Sequence, residues 1–153
     1  MAKGATHAAD TTTRCQVAAL PLRERAGRLE VCLVTTRTTG RWTVPKGWPM
    51  KGHPKREAAR IEAEEEAGIT GKPSKKPVGS FVYWKRLDDH FELIGVDVYR
   101  LRVTGALSSW KEQAERRVQW MSLEDATIIV DEPGLAALLR DQAAATVFAG
   151  KVA

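Results

Sequence analysis

Pro45, Gly47, Pro49, Gly52 and Pro54 crowd one short stretch, and the stretch that follows, Lys55 to Ala67, contains neither residue type. Proline locks φ and lacks an N–H, while glycine is costly to order, so Pro45 to Pro54 is expected to be loop. Lys55 to Ala67 is rich in Ala, Glu and Arg, which hold a helix well, and Gly68 stands where a left-handed helix stop belongs. A loop feeding directly into a helix is therefore the firmest local feature of the chain.

Short β-branched and apolar runs surround it. Gln16 to Leu22 and Glu30 to Thr36 read as two strands joined by the polar RERAGR turn, with a third short strand at Trp42 to Val44. GKPSKKP reads as a second loop. Val78 to Trp84 and Leu93 to Val103 read as strands about a polar turn at Leu87 to His90, and Val118 to Met121 as another. Ser122 and Asp125 mark the start of a short helix, and Gly134 to Ala145 a final one. These elements predict an α+β fold in which helices pack on a sheet.

With 153 residues, the expectation is one domain over residues 13–145, between a disordered arm (1–12) and a short tail (146–153). The first dozen residues lack the apolar core of a secretory leader. Cys15 and Cys32 lie in strand-like runs and read as buried thiols of a reducing compartment, so the expected location is cytoplasmic. No apolar run reaches the ~20 residues of a membrane span. The net charge of +5 favours a polyanionic partner. Nucleic acid is disfavoured, because the chain shows no long basic block and no zinc-finger spacing.

Glu62, Glu65 and Glu66 fall at i, i+3 and i+4, which places three carboxylates on one helix face. Like charges at that spacing repel unless a cation lies between them. Ala59, Ala63 and Ala67 form a small-residue ridge beside that face, suited to close packing on a sheet, with the glutamates turned outward. Glu57 and Glu64 fall elsewhere around the helix and read as solvated. Taken without its loop, the same helix reads more readily as a solvated surface helix.

The stretch GWPMKGHPKREAARIEAEEEAGI, Gly47 to Ile69, resembles the box of the Nudix hydrolases: G, five residues, E, seven residues, then R-E-U-x-E-E-x-G-U with U apolar. Gly47, Glu62, Ala63, Glu65, Glu66, Gly68 and Ile69 occupy matching positions at the family spacing. His53 stands where the first glutamate is usual and Ile61 where the arginine is usual. Arg60 lies too far around the helix to replace that arginine beside Glu62. The flanking TGRWTVPKGWPMKG and SSWKEQAERRVQWMSLEDA look like the diphosphoinositol polyphosphate phosphohydrolase branch.

The resemblance implies a Nudix-like α/β/α sandwich with a central mixed sheet, and a pyrophosphohydrolase acting on a diphosphoinositol polyphosphate, a dinucleoside polyphosphate or a related nucleotide. It implies Mg²⁺, with Mn²⁺ as the alternative, held by Gly47, Glu62, Glu65 and Glu66, the three glutamates also being the catalytic set. For substrate phosphates it favours Arg14, Arg37, Arg41 and Arg116, and Lys46 is a further cationic candidate. Glu112 and Glu115 read as surface. Trp42 and Trp120 are expected in the core, and Trp48, Trp84 and Trp110 near loops. The two departures keep a second expectation open: a module that binds nucleotide or inositol phosphate without cleaving it.

Overall fold

The computed structural model describes residues 14–148, so the expected arm and the last residues of the expected tail lie outside them. Strand β1 (Cys15–Arg25) turns through Ala26 and Gly27, both at positive φ, into β2 (Arg28–Thr35). Arg25 pairs with Arg28 across that two-residue turn, the geometry that left-handed turn residues permit. Two short strands follow, β3 (Trp42–Thr43) and β4 (Lys46–Gly47), then helix α1 (Lys55–Ala67). The second half runs β5 (Ile69–Pro73), β6 (Gly79–Arg86), β7 (Phe91–Ala106), β8 (Val118–Ser122), α2 (Leu123–Ile129) and α3 (Pro133–Phe148).

The sheet order is β3-β2-β1-β7-β5, with β4 paired to β1, β6 to β7 and β8 to β2. β1 and β7 run parallel from Cys15↔Gly95 to Leu22↔Arg102, and every other pairing is antiparallel. The sheet is therefore mixed, as expected. Its two central strands are apolar on both faces because both faces are covered. Along β1, Ala18, Leu20 and Leu22 join one core cluster and Val17 and Ala19 the other. Along β2, Val31 and Leu33 face the first cluster, and Cys32 and Val34 the second. Helices α2 and α3 cover the first face and α1 the second, through Ala58, Ala59, Ala63 and Ala67. This is the α/β/α sandwich, and the alanine ridge performs the close packing its spacing implies.

Two segments read as loop are partly strand. Lys46 and Gly47 pair with Ala18 and Val17, and the Ala19 N–H donates to the Pro45 carbonyl at 3.0 Å. Proline lacks a donor but keeps its acceptor, so Pro45 can flank a ladder without joining it as a donor. GKPSKKP begins inside β5, which carries a bulge between Thr70 and Gly71. A Cβ at Gly71 would collide with the Arg102 carbonyl, so glycine here permits a close strand approach and does not mark a turn. The final helix continues past Ala145 to Phe148. Among the described residues, no helix is long and apolar enough to cross a membrane.

Candidate functional site

Helix α1 begins after Pro54 and ends at Gly68, whose φ of 70° and N–H bond to the Glu64 carbonyl make it a left-handed C-cap. Gly68 has a second constraint, since a Cβ there would run into the Trp110 ring. That contact fixes the chain leading into β8 against the end of α1. In the same segment the Glu112 N–H donates to the Glu65 carbonyl at 2.9 Å. Strand β4 also packs against the helix. A Cβ on Gly47 would overlap the Glu62 carboxylate, so only glycine lets this strand and that side chain share the space.

The glutamates expected to face outward do not behave alike. Glu66 is only 4% exposed, at the boundary between the alanine ridge and the cleft. The Lys46 backbone N–H donates to its Oε1 at 3.3 Å, and Arg116 Nη2 lies 3.4 Å from its Oε2. Burial pushes Glu66 up to about 8 against the pull of Arg116, with the nearby Glu62 charge adding to the rise. Glu62 is also raised, first by burial and then by Glu65. Glu65 is half-buried and reaches Lys111 at 3.8 Å. Glu57 and Glu64 are partly exposed and grip Arg60 from either side at 2.6 and 2.9 Å, so Arg60 faces away from Glu62.

Arg116 brings a guanidinium to this helix face from outside the helix. Its Nε donates to Glu112 at 2.7 Å and its Nη1 to the Thr35 carbonyl at 3.0 Å, while Nη2 faces Glu66. Glu112, expected at the surface, is thereby drawn into the site. The signal was available in part: Glu112 and Arg116 are four residues apart, the spacing of a helical-turn ion pair. Their approach to α1 was not readable from spacing.

Glu62, Glu65 and Glu66 border a cleft of about 400 Å³ together with Gly47 and Lys46. Arg37, Arg41 and Arg116 line it as well, whereas Arg14 is absent from the lining. Arg14 stacks 4.3 Å above Trp48, itself a lining residue, and pairs with Glu92 at 3.1 Å. Arg37 pairs with Glu115 at 3.0 Å and Arg41 lies 3.6 Å from Asp131, both pairs being solvent-exposed and correspondingly easy to exchange for a phosphate. Lys46 Nζ sits 4.8 Å over the Tyr83 ring, and desolvation lowers its pKa. Trp48 and Trp84 are exposed along the cleft, while Trp42 and Trp120 are partly buried beneath Arg117 and Arg23. His53 is exposed and is not among the residues lining the cleft.

Among the described residues, no three carboxylate, imidazole or thiol groups are gathered into a ready cage for a metal. The donors present nevertheless suit a hard divalent cation. Glu62 and Glu66 crowd each other while largely desolvated, and the Gly47 backbone lies against Glu62 in a space that a Cβ would fill. Mg²⁺ retains several waters and is typically held by one or two carboxylates, so a closed protein cage is not required.

Comparison with known proteins defines the family. The NUDIX domain model matches residues 12–142, and the chain belongs to the Nudix family. It is accordingly a pyrophosphohydrolase of a family that typically works with a divalent metal. No curated protein sequence matches the chain. Among solved structures, a C. elegans Ap4A hydrolase in a binary complex superposes with a TM-score of 0.66, covering 90% of this chain and 99% of that one at 24% identity. A NUDIX hydrolase from Nitrosomonas europaea gives 0.65 over 86% and 89% at 19% identity. The NUDIX domain of Shewanella oneidensis NrtR, complexed with ADP ribose, gives 0.64 over 93% and 99% at 15% identity. At these identities the likeness is one of fold.

Proposed function

We propose that the chain is a Mg²⁺-dependent hydrolase that cleaves the diphosphate linkage of a phosphorylated small molecule. The observation that carries this reading is the packing of the Gly47 backbone against Glu62 beside the buried Glu66, at the wall of a cleft that also presents Lys46 and Arg116. Glu62, Glu66 and the Gly47 carbonyl would hold the cation, and Glu65 would join them by turning from Lys111. Bound Mg²⁺, or Mn²⁺ in its place, supplies neutralisation of phosphate charge and acidifies a water. In the cleavage, water oxygen bonds to one phosphorus and the bridging P–O bond breaks. The bridging oxygen leaves with the other phosphate, and Glu62 or Glu66 receives the proton of the water. Arg37, Arg41, Lys46 and Arg116 offset phosphate charge, and Arg14 contributes from the rim through Trp48.

The candidate substrates are diphosphoinositol polyphosphates, dinucleoside polyphosphates and related nucleotides. The flanks of the box support the inositol branch, whereas the solved neighbours include an Ap4A hydrolase and an ADP-ribose-binding domain. A cytoplasmic setting is part of the proposal and is consistent with the free thiols of Cys15 and Cys32. The test is product release with Mg²⁺ from a panel of inositol pyrophosphates, diadenosine polyphosphates, nucleoside triphosphates and ADP-ribose. Turnover of at least one, abolished by chelation, is expected. Binding without turnover across the whole panel would refute hydrolysis.

A further inference from the structure

The chain has no long basic block, yet the fold assembles a basic surface from two segments that are distant in sequence. Neither Gly68 to Leu87 nor Val98 to Trp110 contains an acidic residue, and the ladder between β5 and β7 brings the two segments together. Lys72 is the direct cross-strand partner of Arg102. Like charges placed opposite each other weaken a sheet unless an anion lies over them. Arg100, two residues before Arg102 on the same strand, points to the same face. Lys72, Lys75, Lys76, Arg100 and Arg102 are all exposed, and none has an ion pair among the described residues. On the other side of β7, Arg102 pairs in register with Leu22, and Glu24 two residues further along β1 makes no ion pair there either.

The loop that carries two of the lysines is tied to β7. The Ser74 N–H donates to the Arg100 carbonyl at 2.8 Å, and the Arg100 N–H donates to Ser74 Oγ at 3.1 Å. The Ser74 hydroxyl in turn donates to the Lys76 carbonyl at 2.8 Å. Pro73 and Pro77 bracket this turn with fixed φ, so its backbone loses little freedom when a partner binds. The surface is separate from the cleft. Tyr99 and Leu101 pack beneath α1, so Arg100 and Arg102 point to the opposite face, and none of the five cations lines the cleft.

Side chains on one face of a strand repeat at about 7 Å, and directly opposed residues stand about 5 Å apart. The cations therefore form a flat grid and not a pocket, which suits an extended row of phosphates better than a compact anion. Lys72 to Lys76 and Arg100 to Arg102 contain no aromatic residue, so the grid offers the bases of a single strand nothing to stack on. A duplex encloses its bases, carries one charge per about 1.7 Å of axis and is stiff, so it meets a fixed grid without the ordering cost of a flexible acidic peptide. We propose that Lys72, Lys75, Lys76, Arg100 and Arg102 form a docking surface for the phosphate backbone of duplex nucleic acid, indifferent to base sequence and separate from the cleft.

The test is fluorescence anisotropy of the full chain with a labelled duplex of about 20 base pairs, over a NaCl series and with a chelator present. Affinity should fall linearly on logarithmic axes with a slope of about −3 to −4.5, and a duplex of scrambled sequence should bind within about twofold. The double variant Lys75→Ala with Lys76→Ala should weaken binding at low salt by about tenfold and flatten the slope by about 2, and Arg102→Ala should flatten it by about 1. Relief of the opposed charges should leave the melting temperature of Arg102→Ala equal to or above that of the native chain. Lys51→Ala with Arg56→Ala, exposed cations outside the grid, should leave binding unchanged. Absent or salt-independent binding overturns the proposal, as does equal weakening by the Lys51 and Arg56 control. Binding of the matching single strand, or of a polyglutamate chain, as tightly as the duplex overturns the choice of partner. Turnover enters none of these readouts, so the outcome stands apart from the hydrolase reading.

Discussion

The Arg116 guanidinium lies 3.4 Å from the Glu66 carboxylate, and the two side chains are only 11% and 5% exposed. Removing the arginine of such a buried cluster leaves its several partners without compensation, a loss of about 3–5 kcal/mol. Arg116 also holds Glu112 and the Thr35 carbonyl, so Arg116→Ala is expected to fall in that range. Arg116→Lys keeps the charge but not the three-way fork, and should lie between alanine and the native protein. Urea unfolding measures both. A loss below about 1 kcal/mol for alanine would show that Arg116 does not organise the site.

Gly47→Ala and Gly68→Ala should separate function from stability. At Gly47 the new Cβ meets the end of the flexible Glu62 side chain, which can move aside with little harm to the fold. The displacement should lower Mg²⁺ affinity by about 10–100-fold, the range seen when groups that orient ligands are disturbed. At Gly68 the change combines a φ of 70° with collision against Trp110, which should cost about 1–3 kcal/mol or more. Melting curves with and without Mg²⁺ distinguish the two. Equal stability losses would contradict the assignment.

Metal binding should stabilise the folded chain, since a ligand of the native state alone contributes about 2.7 kcal/mol at a free concentration one hundred times its Kd. Glu66→Gln keeps an acceptor for the Lys46 N–H, and Arg116 keeps Glu112 and the Thr35 carbonyl, so its metal-free melting temperature should stay near that of the native chain. Its kcat should fall by about 10² to 10⁴. Differential scanning calorimetry with a Mg²⁺ series, paired with the kinetic assay, tests both halves. A variant that keeps the full Mg²⁺ stabilisation and full activity would remove Glu66 from the site.

The Cys32 thiol, fully buried beneath α1, is pushed up from 9.0 to about 12 by burial. An acid whose folded pKa is raised stabilises the fold fully below its unfolded value and loses that contribution as pH rises through the folded one. Cys32 therefore contributes stability that declines between about pH 9 and about pH 12. Alkylation followed by mass spectrometry at pH 8 should modify half-buried Cys15 first, and Cys32 only at the rate of unfolding. Equal labelling of both thiols in the folded protein would contradict this burial.

Periodicity and local stereochemistry alone determined a large part of this molecule. Helix α1, its glycine stop and the joint placement of three glutamates follow from intrinsic propensity and a 3.6-residue repeat, which are properties of neighbouring residues. The Ser122 cap likewise forms where it was expected, accepting the Asp125 N–H at 3.1 Å. β4 and β5 were hidden because Gly47, Gly71 and their neighbouring prolines carry a turn-like composition. Those glycines serve close approach, and only the facing Glu62 and Arg102 reveal it. Tertiary structure alone decided that Glu66 is buried while Glu65 reaches Lys111, and that Glu112 is drawn inward. Such relations depend on the parallel pairing of β1 with β7 and the docking of the 110–117 segment on α1, contacts between residues too distant in sequence for any local pattern to encode.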